Sequence, residues 1–330
     1  MRPGRGATAG DADPEATPTA DVSSPAGAAV SRSRAGLWDR LVASDHLAGW
    51  LFVSPAVVFI ALFGVAPIVW SFIISFQQNS LDTGGTWIGL ANYRHLLHDP
   101  VFAASVRRTI EYTALFVPIT LFGALAVAIA LNRRLAGMRF YRTAVFAPVV
   151  TSTVATAIMF SWLLDPYFGI VNLILNKLGL ASQGFFQNPS QALYCIVVVT
   201  FWGWLGFAVV IYLAALQGIP RELIEAAEID GATKWRAFWR VQFPLLGPTT
   251  LFLVVWLTIN ALQLFDEIYV ITRGGPLGST TVVVYYLFQQ AFAFFNAGYA
   301  TAIAYVLFLG ILVLTVVQLL LGRRLVHYRS

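Results

Sequence analysis

Charge is what this chain has least of. Asp, Glu, Lys and Arg make up 11% of its 330 residues while 58% are hydrophobic; a soluble domain carries about 25% charged residues. Such a composition cannot cover a surface that faces water, which excludes a soluble globular protein and implies an integral membrane protein. Cysteine is nearly absent as well. Cys195 stands alone in an apolar run, so no intrachain disulfide forms and no second thiol is at hand for redox chemistry. A Gly-rich phosphate loop ending in Lys-Ser or Lys-Thr is missing, and with it the means to hydrolyse ATP. The four histidines, His46, His95, His98 and His327, stand at the edges of apolar segments. His95 and His98 are three residues apart, but no Cys or carboxylate completes a metal set. Neither enzymatic activity nor a resident metal or cofactor is expected of this chain.

Long apolar runs fill the space that charge leaves. Six segments, roughly 47–76, 109–131, 143–164, 191–216, 248–270 and 298–321, have the length of a membrane span, for which about 20 apolar residues suffice. A backbone in lipid must satisfy its own hydrogen bonds, so these are read as helices. The fold class expected is all-α integral membrane with six transmembrane helices, with kinks at Pro55, Pro67, Pro118 and Pro148. Two regions follow: a tail over 1–46 and a six-helix membrane domain over 47–330. Residues 1–34 are Ala, Gly, Pro, Ser and Thr with scattered charges, a composition of disorder. Over 35–46, Leu37, Trp38, Leu41 and Val42 share one face, which suits a short interfacial helix.

Basic residues set the orientation. Five lie in the tail, four in the 132–142 loop, four in the 217–247 loop and three at the C-terminal end, sixteen on one side. The other side has five: Arg94, Arg107, Arg108, Lys177 and Arg273. Both termini are therefore expected in the cytoplasm. The net charge of +5 reflects topology, and nucleic acid is not an expected partner.

The 217–247 loop holds the most informative stretch, Arg221 to Pro244. Pro220 suits a helix start, and Leu223, Ile224 and Ala227 recur at near-helical spacing. Asp230-Gly231 ends that helix, because Gly tolerates the positive φ of a helix end. Thr233 caps a second helix and Pro244 stops it. Glu225-Ala226-Ala227, three residues, Gly231, nine residues, Val241, one residue, Phe243-Pro244 resembles the EAA loop of ABC-importer permeases. The family prefers Ile and Leu where this chain has Val241 and Phe243. Gly89-Leu90-Ala91-Asn92-Tyr93, and Thr272-Arg273-Gly274-Gly275-Pro276 with Ser279-Thr280, are similar to patterns of the carbohydrate-uptake branch. The resemblance covers roughly residues 47–325.

That resemblance implies a type I ABC-importer transmembrane domain in a bacterial inner membrane, carrying a sugar or a polyol phosphate. The implied partners are a second homologous permease, two cytoplasmic ATPase subunits that bind ATP and Mg, an extracytoplasmic solute-binding protein, and membrane lipid. Glu222, Glu225, Ala226, Ala227, Gly231, Trp235, Arg236, Trp239, Arg240 and Pro244 would form the coupling element. Glu225 would anchor it on the ATPase and Gly231 permit its bend. A secondary transporter or a passive channel for a small polar solute is the competing reading. The spans lack a convincing carboxylate series for the first, and the second has no use for a docking loop.

Polar groups inside spans are costly unless they face protein or water. Asn260, Gln263 and Glu267 fall at i, i+3 and i+7, one face of an expected continuous helix, with Asp266 beside it. These four, with Tyr299 and Tyr305, are candidates for the substrate path. Thr151, Ser152, Thr153, Thr156, Trp202 and Trp204 add hydroxyls and aromatic faces in neighbouring spans. Asn260 and Gln263 serve either a solute or a bond between helices, the latter worth about 0.6 kcal/mol each.

Overall fold

The computed structural model describes residues 45–78, 85–132 and 137–325. The tail over 1–34 and the interfacial helix expected over 35–46 lie outside the described residues, save that Asp45 and His46 open the first helix. The chain divides into two units, Met1–Leu62 and Phe63–Ser330. Of the first, α1 (Asp45–Ile60) is described.

The second unit is helical. After a π-helical turn (Ala61–Val65), α2 spans Ala66–Ile74 with Pro67 in its first turn. Gln77–Gln78 and Thr86–Trp87 pair as a short antiparallel hairpin. Then come α3 (Ala91–His98), α4 (Pro100–Leu131), α5 (Met138–Val150), α6 (Thr153–Leu163) and α7 (Ile170–Lys177). The chain continues through α8 (Ala192–Gln217), α9 (Arg221–Ile229), α10 (Lys234–Ala237), α11 (Phe243–Leu245), α12 (Gly247–Leu262), α13 (Val283–Phe288) and α14 (Ala297–Leu325).

The six expected spans are realised in two ways. Gly49–Ile74, Pro100–Leu131, Ala192–Gln217 and Ala297–Gly322 are helices long and apolar enough to cross a membrane. The other two are bent pairs, so the count is six only if each pair makes one span. The third span, expected as one helix over 143–164, breaks between α5 and α6 with a 102° bend. Pro148 removes a helical donor there, Thr151 and Ser152 take extended ψ values of 138° and 133°, and Thr151 Oγ1 donates to Ala147 O at 3.2 Å. The fifth span, expected over 248–270, ends at Leu262. α4 starts nine residues before the expected 109, because Asp99 caps it by accepting from Val101 N at 2.8 Å and Arg107, Arg108 and Glu111 masked the extension.

The core runs along α4 and α8. Ala124, Ala128 and Ala208 are fully buried between Leu125, Tyr212, Leu246 and Leu253, small side chains that let backbones approach closely. Gly206 does the same against α5: an added Cβ would stand 2.4 Å from Val145 O. Hydroxyl bonds tie the helices where polar groups are buried. Tyr112 donates to Thr200 Oγ1 (2.9 Å), Tyr212 to Thr250 Oγ1 (3.2 Å), and the Gln318 amide to Thr258 Oγ1 (3.0 Å).

The two family-like loop motifs organise their own backbone. Asn92 donates to the carbonyls of Ser75 (2.9 Å) and Gln77 (3.0 Å), while the hydroxyls of Tyr93 and Ser75 are 2.8 Å apart. Thr280 and Thr281 donate to the carbonyls of Gly275 (2.8 Å) and Gly274 (3.1 Å).

Candidate functional site

The polar residues of the fifth span meet around a break in the helix, not on a helical face. Asn260 lies on α12, Gln263 follows its last residue with φ −100° and ψ 13°, and Asp266-Glu267 open the next helical turn. The backbone tightens there: the N–H groups of Gln263 and Leu264 reach the carbonyls of Asn260 and Ala261 at 3.2 and 3.3 Å. α12 alone has 16 residues, about 24 Å at 1.5 Å per residue, short of the ~30 Å hydrocarbon core. The break therefore falls at membrane depth, where irregular backbone is tolerated only if protein or a watered cavity covers it.

A cavity is present. Asn260, Gln263, Asp266 and Glu267 line a space of about 230 Å³, faced by Tyr112, Phe116, Thr153 and Trp204. An adjoining cavity of about 160 Å³ shares Thr153, Trp204 and Glu267 and adds Thr151, Thr156 and Gly203. Thr151 and Thr153 flank the α5–α6 break. The α5–α6 break and the end of α12 at Leu262 thus both border this hollow, and Trp204 lines both cavities. Glu267 is buried; Gln263 and Asp266 are exposed. The Asn260 amide donates to Trp256 O on its own helix at 2.8 Å. Among the described residues neither Asn260 nor Gln263 is hydrogen-bonded to another helix. Amide, carboxylate and hydroxyl groups beside an indole and two stacked rings, Tyr112 and Phe116 at 5.4 Å, suit a hydroxyl-rich solute with one apolar face.

Tyr299 and Tyr305, the other two candidates for the path, lie elsewhere. Tyr299 is buried, and its hydroxyl and that of Tyr286 both donate to Asp99 Oδ2 at 2.6 Å. This knot joins the N-cap of α4, α13 and the first turn of α14. Burial alone would raise the Asp99 carboxyl, but the hydroxyls of Tyr286 and Tyr299 and two backbone amides outweigh it and hold it below its ordinary value. Tyr305 donates to Ile68 O and its hydroxyl lies 3.1 Å from that of Ser71. Trp202 packs edge-on against Phe160 at 5.5 Å.

Sequence reasoning missed Tyr112, Phe116 and Asp99. The first two stand in an apolar run where a cavity wall and a core position read alike. Asp99 precedes Pro100, a helix-start signal, but nothing local points to its tyrosines.

The Arg221–Pro244 stretch is a second polar structure. α9 closes in a Schellman motif, with Ala232 N donating to Ala227 O (2.9 Å) and Gly231 N to Glu228 O (3.0 Å). Gly231 has φ +80° and nothing within 4 Å of an added Cβ, so its requirement is conformational, not steric. Thr233 caps α10 by accepting from Arg236 N at 3.4 Å. Pro244 does not stop this helix, contrary to expectation. The chain passes through a π-helical turn, Phe238–Gln242, into α11, and bends by 63° only before α12. The π turn alters the bonding register just ahead of the proline, whose missing N–H is then harmless in a first turn. Glu222, Glu225, Ala226, Gly231, Arg236, Arg240 and Pro244 are exposed, and Ala227 is half-buried. Trp235 is 71% exposed and Trp239 42%, their rings edge-on at 5.5 Å. Paired bare indoles are a surface that a partner would cover.

Comparison with known proteins agrees with this architecture. Residues 117–327 match the model of the "binding-protein-dependent transport system inner membrane component" family. The lactose transport system permease protein LacF of Rhizobium radiobacter is 36% identical over 83% of this chain and 94% of its own length. The arabinooligosaccharides transport system permease protein AraP of Bacillus subtilis is 34% identical over 86% and 91%. In fold, the chain is similar to a bacterial ABC transporter involved in the import of the acidic polysaccharide alginate, with a TM-score of 0.77 at 24% identity over 87% of this chain and 98% of that one. The chain belongs to the family of binding-protein-dependent transport system inner membrane components, the ABC-importer permeases.

Proposed function

We propose that this permease forms half of the translocation path of an ATP-driven sugar importer, with both termini cytoplasmic. The observation that carries this reading is the polar hollow beside the α5–α6 break and the end of α12, in a chain that also has an exposed, capped helix–turn–helix over Arg221–Ala237. Relatives named for lactose, arabinooligosaccharides, sulfoquinovosyl glycerol and sn-glycerol-3-phosphate support a hydroxyl-rich solute, a sugar or polyol phosphate. A similar structure titled as an alginate transporter in complex with an oligosaccharide-bound periplasmic protein supports delivery by a solute-binding protein.

In this reading two ATPase subunits bind ATP and Mg, and Trp235, Trp239, Arg236, Arg240 and Glu225 dock on them. Closure of the ATPase pair moves α9–α10 as one lever, and the path changes its side of access. The second, homologous permease supplies the other half. The test is assembly of the chain with the cognate permease, ATPase and binding protein in liposomes. ATP-dependent uptake of a labelled sugar is expected, with ATP hydrolysis rising when loaded binding protein is added. Uptake down a gradient without ATPase or ATP would overturn the reading in favour of a channel or secondary transporter.

A further inference from the structure

A second polar cavity, about 360 Å³, lies between α4 and the start of α8 and is lined by Arg107, Arg108, Glu111, Ser190, Tyr194 and Ser279. It shares no lining residue with the hollow described above. Tyr194 donates to Glu111 Oε1 at 3.1 Å, which fixes the carboxylate, and Ser190 Oγ is spent on Asn188 Oδ1 at 2.8 Å. Three donors remain. Neither guanidinium is hydrogen-bonded among the described residues, and the buried Ser279 Oγ has no partner. Two arginines against one glutamate make the cavity net positive, so the group seated between the guanidinium groups carries negative charge, as a phosphodiester does.

The position of this cavity selects the anion. Beyond Glu111, α4 continues from Tyr112 to Leu131 without Asp, Glu, Lys or Arg, 20 residues and about 30 Å, the thickness of the hydrocarbon core. The arginines therefore stand at headgroup level. The Tyr194–Glu111 bond places the start of α8 at the same height. Immediately deeper, Ala114, Pro118 and Phe122 on α4 and Val198 on α8 are exposed, an apolar strip beneath a cationic cavity. A free phosphate has no use for that strip; a phospholipid fits both parts.

We propose that this cavity binds one membrane phospholipid. Its phosphodiester lies between Arg107, Arg108 and the Ser279 hydroxyl, and an acyl chain lies over Phe122 and Val198. The Glu111 carboxylate, held by Tyr194, accepts from the ammonium of an ethanolamine headgroup or a hydroxyl of a glycerol headgroup. Choline has no such donor and is disfavoured. Because Ser279 follows the Thr272–Pro276 loop, the arginines lie on α4 and Tyr194 opens α8, the lipid joins three separate parts of the chain at one membrane face.

The test is native mass spectrometry of the purified full-length chain in neutral detergent with phosphatidylethanolamine, phosphatidylglycerol or phosphatidylcholine, together with its thermal unfolding. Wild type is expected to retain one ethanolamine or glycerol lipid through delipidation and to unfold at higher temperature with it. Retention should fall roughly tenfold in Arg107→Gln/Arg108→Gln, the scale of lost charge-assisted bonds to phosphate, and less in Ser279→Ala. Arg107→Lys/Arg108→Lys keeps the charge and should keep most of the retention, which separates lipid loss from misfolding. Equal retention of choline lipid, or unchanged retention in Ser279→Ala and the glutamine variant alike, would overturn the proposal. So would an equal thermal shift from inorganic phosphate alone. None of these readouts depends on the transported solute or on ATPase partners.

Discussion

The Arg221–Pro244 stretch and the polar hollow are two polar parts of the membrane unit, and they are built in opposite ways. The first is contiguous. Its helix end, left-handed glycine and next cap lie within Ala227–Arg236, each held by a bond to a residue at most five positions away. The second draws Tyr112, Thr153, Trp204 and Glu267 from four separate elements. A locally encoded object keeps its shape when it moves against a partner, which a lever requires. A cavity assembled from several helices changes shape when those helices move, which a path with alternating access requires.

That contrast yields predictions of decreasing size. Gly231→Val should have the largest effect. A β-branched residue at φ +80° costs about 1–2 kcal/mol in strain and is most easily relieved by abandoning the turn. Uptake and solute-stimulated ATP hydrolysis by the assembled complex should fall by roughly tenfold or more, while Gly231→Asn, which tolerates the left-handed region, retains much of both. Equal loss in the two variants would mean that the turn conformation is not what matters. Glu225→Lys reverses an exposed charge and leaves the fold alone, so membrane levels should hold while coupled ATPase activity drops severalfold, on the scale of one disrupted interfacial charge pair. Wild-type coupling there would remove Glu225 from the dock.

In the hollow, Asn260→Ala and Gln263→Ala should each weaken uptake by roughly threefold to tenfold, the worth of one hydrogen bond, and should reorder competition among related sugars. A site that bonds a hydroxyl rejects the analogue lacking it. If complex-normalised competition keeps its order in both variants, the path runs elsewhere.

The smallest effect belongs to the knot outside both regions. Tyr299→Phe deletes one donor to Asp99 and should cost about 1 kcal/mol of stability with solute preference unchanged. The wild-type carboxyl is depressed on folding, so its contribution is present above the free-Asp value of about 3.9 and is lost as pH falls through the lower folded value. Thermal scans at falling pH should show the gap between wild type and Tyr299→Phe closing on the acid side. A gap that stays constant to the lowest pH would detach the effect from Asp99.

Much of this protein was decided by the sequence alone. Apolar runs interrupted by basic loops require helices in a membrane, because lipid offers backbone groups no other partner. The helix end at Gly231 and the cap at Thr233 were legible to the residue, because helix ends are settled by near neighbours. Only the tertiary structure decided where the spans break and which polar residues meet. Asn260, Gln263 and Glu267 have helical spacing, and nothing within the segment shows that α12 stops at Leu262; the break persists because a cavity some four elements wide accepts its backbone. Tyr299, a candidate for the substrate path by sequence, is set by packing against Asp99, a partner 200 positions away in the chain. Local hydrogen bonds can be read along a sequence. A desolvated contact between residues so far apart exists only once the helices between them have packed.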